Sequence, residues 1–349
     1  MVNHNSESAP SFPGGSVRVD ADILRSVACR SGSPRKVEPG VLMTEGVDGA
    51  VELVAELNRR SRLNPIAENA PRSSGLYRYL SEGMRGSDAK EFTQLTIDLI
   101  RQLGIWWSPD VYVTLPVMVP WCIRDRTCRY DQGPESWGAP RSDGYLRDDN
   151  SIIKKLPLSL RVSGPEGSRY HGRKPWRGFT ACHIWRDLPD GTFAGADPWL
   201  YSFVPNLIWL PTWLAPLTDR QGGEVQAILQ RTSIALFGDL EVPQPLGAYA
   251  EEAWSKLPFP DPGTALATED LQKFQPVPAF FSRRLAYLDN FVRGCDKVLD
   301  GRPLAKKLIC TRYTQGLPEL HRDETRKFRN AMDDYRRACS AAMVAGAAP

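Results

Sequence analysis

In this chain of 349 residues a histidine closes one apolar run, an asparagine opens a second, and an aspartate follows. The first run is Phe179-Thr180-Ala181-Cys182-His183-Ile184-Trp185, and the second is Val204-Pro205-Asn206-Leu207-Ile208-Trp209-Leu210-Pro211. The aspartate is Asp219, in Leu217-Thr218-Asp219. Neutral imidazole takes a proton from water near pH 7, and a divalent ion held by a carboxylate stabilises charge developing on an attacked group. An amide placed between them can fix a loop or the imidazole itself. Cys182, directly before the histidine, is either a packing residue or a soft donor that suits zinc better than magnesium. The chain has four histidines. Glycine-rich phosphate loops, a Gly-x-Ser-x-Gly elbow and His-Glu-x-x-His are absent, so competing constellations are few.

The elements needed to position these residues are legible around them. Residues 179–185 read as a strand ending at His183, 186–201 as a loop rich in Gly, Asp and Pro, and 203–210 as a strand carrying Asn206. Pro211 or Thr212 then opens a helical segment, and 223–236 reads as an amphipathic helix stopped by Gly238. A basic loop, residues 169–178, runs directly into the first strand. Arg173, Lys174 and Arg177 in that loop, with Arg186 just beyond the strand, are the expected phosphate contacts, because the arginine fork suits phosphate oxygens. Trp176, Trp185, Trp199, Trp209 and Trp213 crowd the same region, mostly as core, with any exposed ring able to stack on a base.

The elements Cys182-His183-Ile184-Trp185, Asn206-Leu207-Ile208-Trp209-Leu210-Pro211 and Leu217-Thr218-Asp219 together resemble bacterial HNH-endonuclease-like proteins, the ββα-metal class, over roughly residues 178–240. The resemblance implies an α+β fold with a ββα-metal (HNH-like) nuclease core embedded between mainly helical flanking regions. It implies His183 as general base, Asn206 as the residue that orients the site, and Asp219 with Cys182 as ligands of a divalent metal ion, Mg²⁺ first and Mn²⁺ or Zn²⁺ as alternatives. The chain departs from the pattern where a last histidine or asparagine is usual, and Cys182 stands where a hard ligand is common. Asp187, Asp197 or His171 are other sources of a ligand. The activity implied is hydrolysis of DNA phosphodiesters in a restriction or other defence system, with a homodimer suited to palindromic sites. An RNA substrate, and a catalytically inactive nucleic-acid-binding protein on the same scaffold, stand as alternatives.

The flanks divide into a flexible arm at 1–40, an α/β region at 41–165 suited to recognition, the core at 166–240, and a helical region at 241–349. Helices are expected from residue 47 to 58, with Val51, Val54 and Leu57 on one face, and over 88–103. Strands are expected at 110–119 and 152–162, with 122–150 as loop and 241–267 as linker. Helices are expected again at 268–274, 278–299 and 322–343, the last with arginines that can contact phosphate. Net charge is +3, far from the profile of a small obligate nucleic-acid binder. The apolar stretches are shorter than a bilayer span and the first residues lack a secretory pattern, so a cytoplasmic protein without membrane contact is expected. Seven cysteines without paired spacing argue against a disulfide framework. Cys122 and Cys128 lack a second pair at zinc-binding spacing.

Overall fold

The computed structural model describes residues 46–125, 146–148, 150–165, 167–219, 223–304, 317–318 and 320–346. The arm expected at 1–40 and Cys128 lie outside them. The chain opens with β1 (Gly46–Asp48) and α1 (Gly49–Arg60). Asp48 caps α1 by accepting the Ala50 N–H at 3.0 Å. The buried face of α1 carries Leu53 and Leu57, whereas Val51 is 57% exposed, so the apolar stripe lies to one side of the expected one. Then come α2 (Pro65–Asn69), α3 (Leu76–Gly83) and α4 (Ala89–Leu103). Leu95, Leu99, Ile100 and Leu103 bury one face of α4. Gly104 ends it, and a Cβ there would lie 2.7 Å from the Ile100 carbonyl oxygen.

Six further elements lead to the central region: β2 (Ile105–Trp107), α5 (Pro109–Thr114), β3 (Cys122–Arg124), β4 (Leu146–Asp148), α6 (Ser151–Lys155) and β5 (Arg161–Ser163). Of the expected strand at 110–119, residues 110–114 are instead a helical turn, and beyond it Val117 makes only an isolated bridge to Phe203. Pro109 sits in the first turn of α5 and the side chains of Val111 and Tyr112 are buried, so tertiary packing outweighs the β-branched composition. Of the stretch 152–162 only residues 161 and 162 are extended, as the start of β5, because Ile152, Ile153 and Leu156 bury themselves from helical turns. Inside the expected loop 122–150, β3 and β4 pair in parallel.

The remaining strands are β6 (Lys174–Arg177), β7 (Phe179–His183), β8 (Leu207–Pro211) and β9 (Gln272–Gln275). Helices α7 (Glu224–Phe237) and α8 (Leu246–Ser255) precede β9, and α9 (Pro278–Leu299) and α10 (Arg322–Gly346) follow it. Of the expected helix at 268–274, Thr268–Asp270 form a single 3₁₀ turn and residues 272–274 belong to β9, which pairs with both β2 and β5. The expected linker at 241–267 contains α8, whose Leu246, Ala250 and Ala253 are buried.

The main sheet has the order β5-β9-β2-β8-β7. Only β2 and β9 run parallel in it. Trp107, Trp209 and Phe274 meet at its centre, with ring centroids 5.1 to 5.3 Å apart. The architecture is mixed α and β. Residues Thr44–Pro349 form one compact unit, and the sheet draws strands from all three segments proposed between 41 and 349. The divisions at 165 and 240 therefore do not separate cores. No described helix is long and apolar enough to cross a membrane.

Candidate active site

Strand β7 lies at one edge of the sheet, and its last residue is His183, paired with Leu207 of β8. Gly178 delivers the chain into β7 with φ +74°, and its carbonyl accepts the Thr212 N–H at 2.9 Å. The imidazole of His183 is 7% exposed. Its Nε2 lies 2.9 Å from the Tyr201 carbonyl oxygen. A carbonyl only accepts, so the hydrogen bond assigns the proton to Nε2 and leaves Nδ1 with its lone pair. Burial pushes the His183 pKa down to about 4, with the Arg124 charge adding to the shift and the Tyr201 hydrogen bond opposing it. The ring is therefore neutral at pH 7.

Asn206 is fully buried. Its Oδ1 accepts the Trp185 N–H at 2.8 Å and its Nδ2 donates to the Leu200 carbonyl at 3.1 Å. It thus ties the end of β7 to the end of the 186–201 loop, one residue from the Tyr201 carbonyl that holds the imidazole. Asn206 is a positioning residue and is not part of the cleft wall. Helix α7 braces the same hairpin. Gln226 donates to the Ile184 carbonyl at 3.1 Å and Ser233 donates to the Pro205 carbonyl.

His183 lines a cleft of about 270 Å³ with Cys182, Arg124, Arg186, Asn150 and Thr212. Arg124 comes from β3 and lies 5.6 Å from the centre of the Phe193 ring, which also lines the cleft. Arg186 stands three residues beyond His183. The Cys182 thiol donates to the Thr180 carbonyl at 3.5 Å. Asp219 ends a 3₁₀ turn, Ala215–Asp219, after β8, and its side chain lies outside the described residues.

Of the other expected ligands, two are engaged away from the cleft and Asp187 pairs with a residue that lines it. Asp197 Oδ1 accepts the Trp199 and Leu200 N–H groups, and its Oδ2 pairs with Lys256 at 3.0 Å. Asp187 pairs with Arg186 at 3.9 Å. His171 bridges to Val162 of β5, at the opposite edge of the sheet from β7.

Of the expected phosphate contacts, the structure brings only Arg186 to the cleft. Arg173 bonds Glu52 at 3.4 Å and the Gly46 carbonyl at 3.0 Å, and Arg177 bonds Asp48 at 2.5 Å. Lys174 and Arg177 belong to β6, which pairs with β1, and Arg173 directly precedes β6. Their position follows from acids at the start of α1 rather than from a ligand. On α10, Arg329, Arg336 and Arg337 converge on Asp333. Trp185 and Trp209 are core, at 1% and 2% exposure, and the Trp176 side chain lies outside the described residues.

Three residues of the site carry no role on sequence grounds: Asp148, Asn150 and Tyr201. Asp148 is fully buried, and its Oδ2 accepts the Tyr201 O–H at 2.6 Å and the Ile152 N–H at 2.7 Å. Tyr201 Oη accepts the Asn150 N–H at 3.0 Å. The polar run Asp148-Asp149-Asn150 was the available signal. The role of Tyr201 depends on its main chain, which a residue type does not reveal.

No protein-family model, curated protein or solved structure matches the chain.

Proposed function

We propose that this protein is an HNH-type endonuclease that hydrolyses phosphodiester bonds of DNA, with His183 as general base. The observation that carries the reading is the state of His183. The ring is neutral, anchored through Nε2–H, and has Nδ1 left as a base in a cleft that Arg124 and Arg186 also line. The surrounding ββα arrangement supports it: β7 and β8 pair antiparallel, Asn206 ties their connection, and α7 is bonded to both ends of that connection.

In this reading the guanidinium groups hold the phosphate, as paired forks do. The water oxygen forms a bond to phosphorus while its proton passes to His183 Nδ1. One bridging P–O bond breaks, and the leaving oxygen takes a proton from solvent. A base with a pKa of about 4 is weak in the free protein. A bound phosphate anion offsets the Arg124 charge that disfavours imidazolium, so the substrate itself raises the basicity of His183.

Of the two ligands that the resemblance implies for a divalent ion, Cys182 lines the cleft, and the side chain of Asp219 lies outside the described residues. Among the residues whose side chains are described, no three His, Cys, Asp or Glu side chains stand together as a cation shell. The residues that line the cleft carry an imidazole, an amide, a thiol, threonine hydroxyls and two guanidinium groups. The chemistry above is therefore assigned to side chains of this chain alone, and the dependence on metal is left to experiment.

The test is incubation of plasmid DNA and of RNA with wild type and His183→Ala, each with Mg²⁺, Mn²⁺, Zn²⁺ or EDTA. Cleavage of DNA that is lost in the variant supports the reading. Cleavage confined to RNA makes the substrate RNA on the same machinery. DNA binding without cleavage under every condition favours an inactive scaffold, and overturns the nuclease reading.

A further inference from the structure

We infer that Asn150 is a catalytic residue of this site, whose side-chain carbonyl orients the attacking water against His183. The inference rests on the nuclease reading above and concerns a residue outside the β7-β8-α7 unit. Asn150 lines the same cleft as His183, Arg124 and Arg186. It is 7% exposed, and its Oδ1 is buried without a hydrogen-bond partner. A buried acceptor without a partner is uncommon and calls for a functional or solvent explanation.

The backbone around this oxygen is unusual and firmly held. Asn150 has φ 60° and ψ 7°, in the left-handed region that asparagine tolerates better than most residues. Its N–H is bonded to the Tyr201 hydroxyl, which in turn donates to the buried Asp148. The carbonyl of the same Tyr201 holds His183 Nε2. One residue therefore fixes both the base and Asn150, which sets two acceptors, Nδ1 and Oδ1, relative to each other.

Two fixed acceptors are what a nucleophilic water requires. One O–H points to His183 Nδ1 and is the proton transferred; the other points to Asn150 Oδ1 and is retained. The oxygen lone pair is then left to form the bond to phosphorus. An uncharged amide performs this without repelling the phosphate, as a carboxylate would.

The test compares wild type, Asn150→Gly, Asn150→Asp and His183→Ala in cleavage of a labelled oligonucleotide, with thermal melting of each. Glycine adopts the left-handed conformation freely, so Asn150→Gly removes the amide without straining the turn. The expected result is a kcat lower by about 100-fold, a KM within about 3-fold, and a melting temperature equal to or above wild type, since an unpaired buried acceptor is removed. Asn150→Asp retains an acceptor oxygen and should recover about 10-fold over Asn150→Gly, with a raised KM from repulsion of phosphate. A purely structural asparagine would instead lose melting temperature and activity together, with the aspartate variant no better. That result, or a glycine variant within about 3-fold of the wild-type kcat, overturns the inference while His183-dependent cleavage stands. Absence of His183-dependent cleavage in wild type overturns the nuclease reading and this inference with it.

Discussion

The main-chain carbonyl of Tyr201 accepts the Nε2 proton of His183 at 2.9 Å. A neutral carbonyl fixes the tautomer and ring orientation as a carboxylate would, yet adds no charge to stabilise imidazolium. Burial therefore prevails, and the imidazole is held unprotonated. The position of that carbonyl depends on Asn206 on one side, through Leu200, and on Asp148 on the other, through the Tyr201 hydroxyl.

A depressed histidine pKa makes stability depend on pH in a defined window. The unfolded chain takes up the His183 proton near pH 6.5, and the folded chain only near pH 4. Between these values the unfolded state binds more protons, so the contribution is fully present above about 6.5 and is lost as pH falls to about 4. The difference amounts to roughly 3 kcal/mol. Urea denaturation of wild type and His183→Gln at pH 7 and pH 4 should show wild type losing more stability by about that amount. Parallel losses in the two proteins would contradict the assigned state of the ring.

Asn206→Ala leaves the Trp185 N–H and the Leu200 carbonyl without their partner in a fully buried setting. A destabilisation of about 2–4 kcal/mol is expected, read as a lower denaturation midpoint. Asn206→Asp keeps an acceptor for Trp185 but turns a carboxylate toward the Leu200 carbonyl, so it should not restore stability. An alanine variant as stable as wild type would remove Asn206 from the frame of the site.

The arginines fall into two groups with opposite expected signatures. Arg124→Ala and Arg186→Ala should weaken oligonucleotide binding and each reduce the salt dependence by about one counterion. Arg173→Ala should leave binding unchanged and lower stability by about 1 kcal/mol through its lost bonds to Glu52 and the Gly46 carbonyl. Fluorescence-anisotropy titrations at two salt concentrations distinguish them. Weaker binding on loss of Arg173 would restore it as a phosphate contact.

How much of this was legible in the sequence depended on range. The strand ending at His183 and helices α4, α7, α9 and α10 follow from local patterns of apolar residues and stop signals; of the expected strand 203–210 only residues 207–210 are extended, because Asn206 closes a 3₁₀ turn, Val204–Asn206, before β8. Residues 110–119 and 268–274 did not follow in this way, because β-branched and apolar content cannot separate a short buried turn from a strand. The basic loop 169–178 looked like a phosphate-binding element, but Glu52 and Asp48, more than a hundred residues earlier, take Arg173 and Arg177. Arg124 and Asn150 reach the cleft only through the pairing of β3 with β4 and the bonds that join Asp148 and Asn150 to Tyr201. No spacing in the chain announces contacts of that kind.

The most direct measurement is the single-turnover cleavage rate of a labelled DNA oligonucleotide at pH 7 by wild type and by His183→Ala, in the cation that supports the faster reaction. If His183 is the general base, the variant is slower by about 10²–10⁴-fold, while its affinity for the oligonucleotide is retained. Equal rates in the two proteins, or no cleavage by wild type in any cation, would contradict the proposed function.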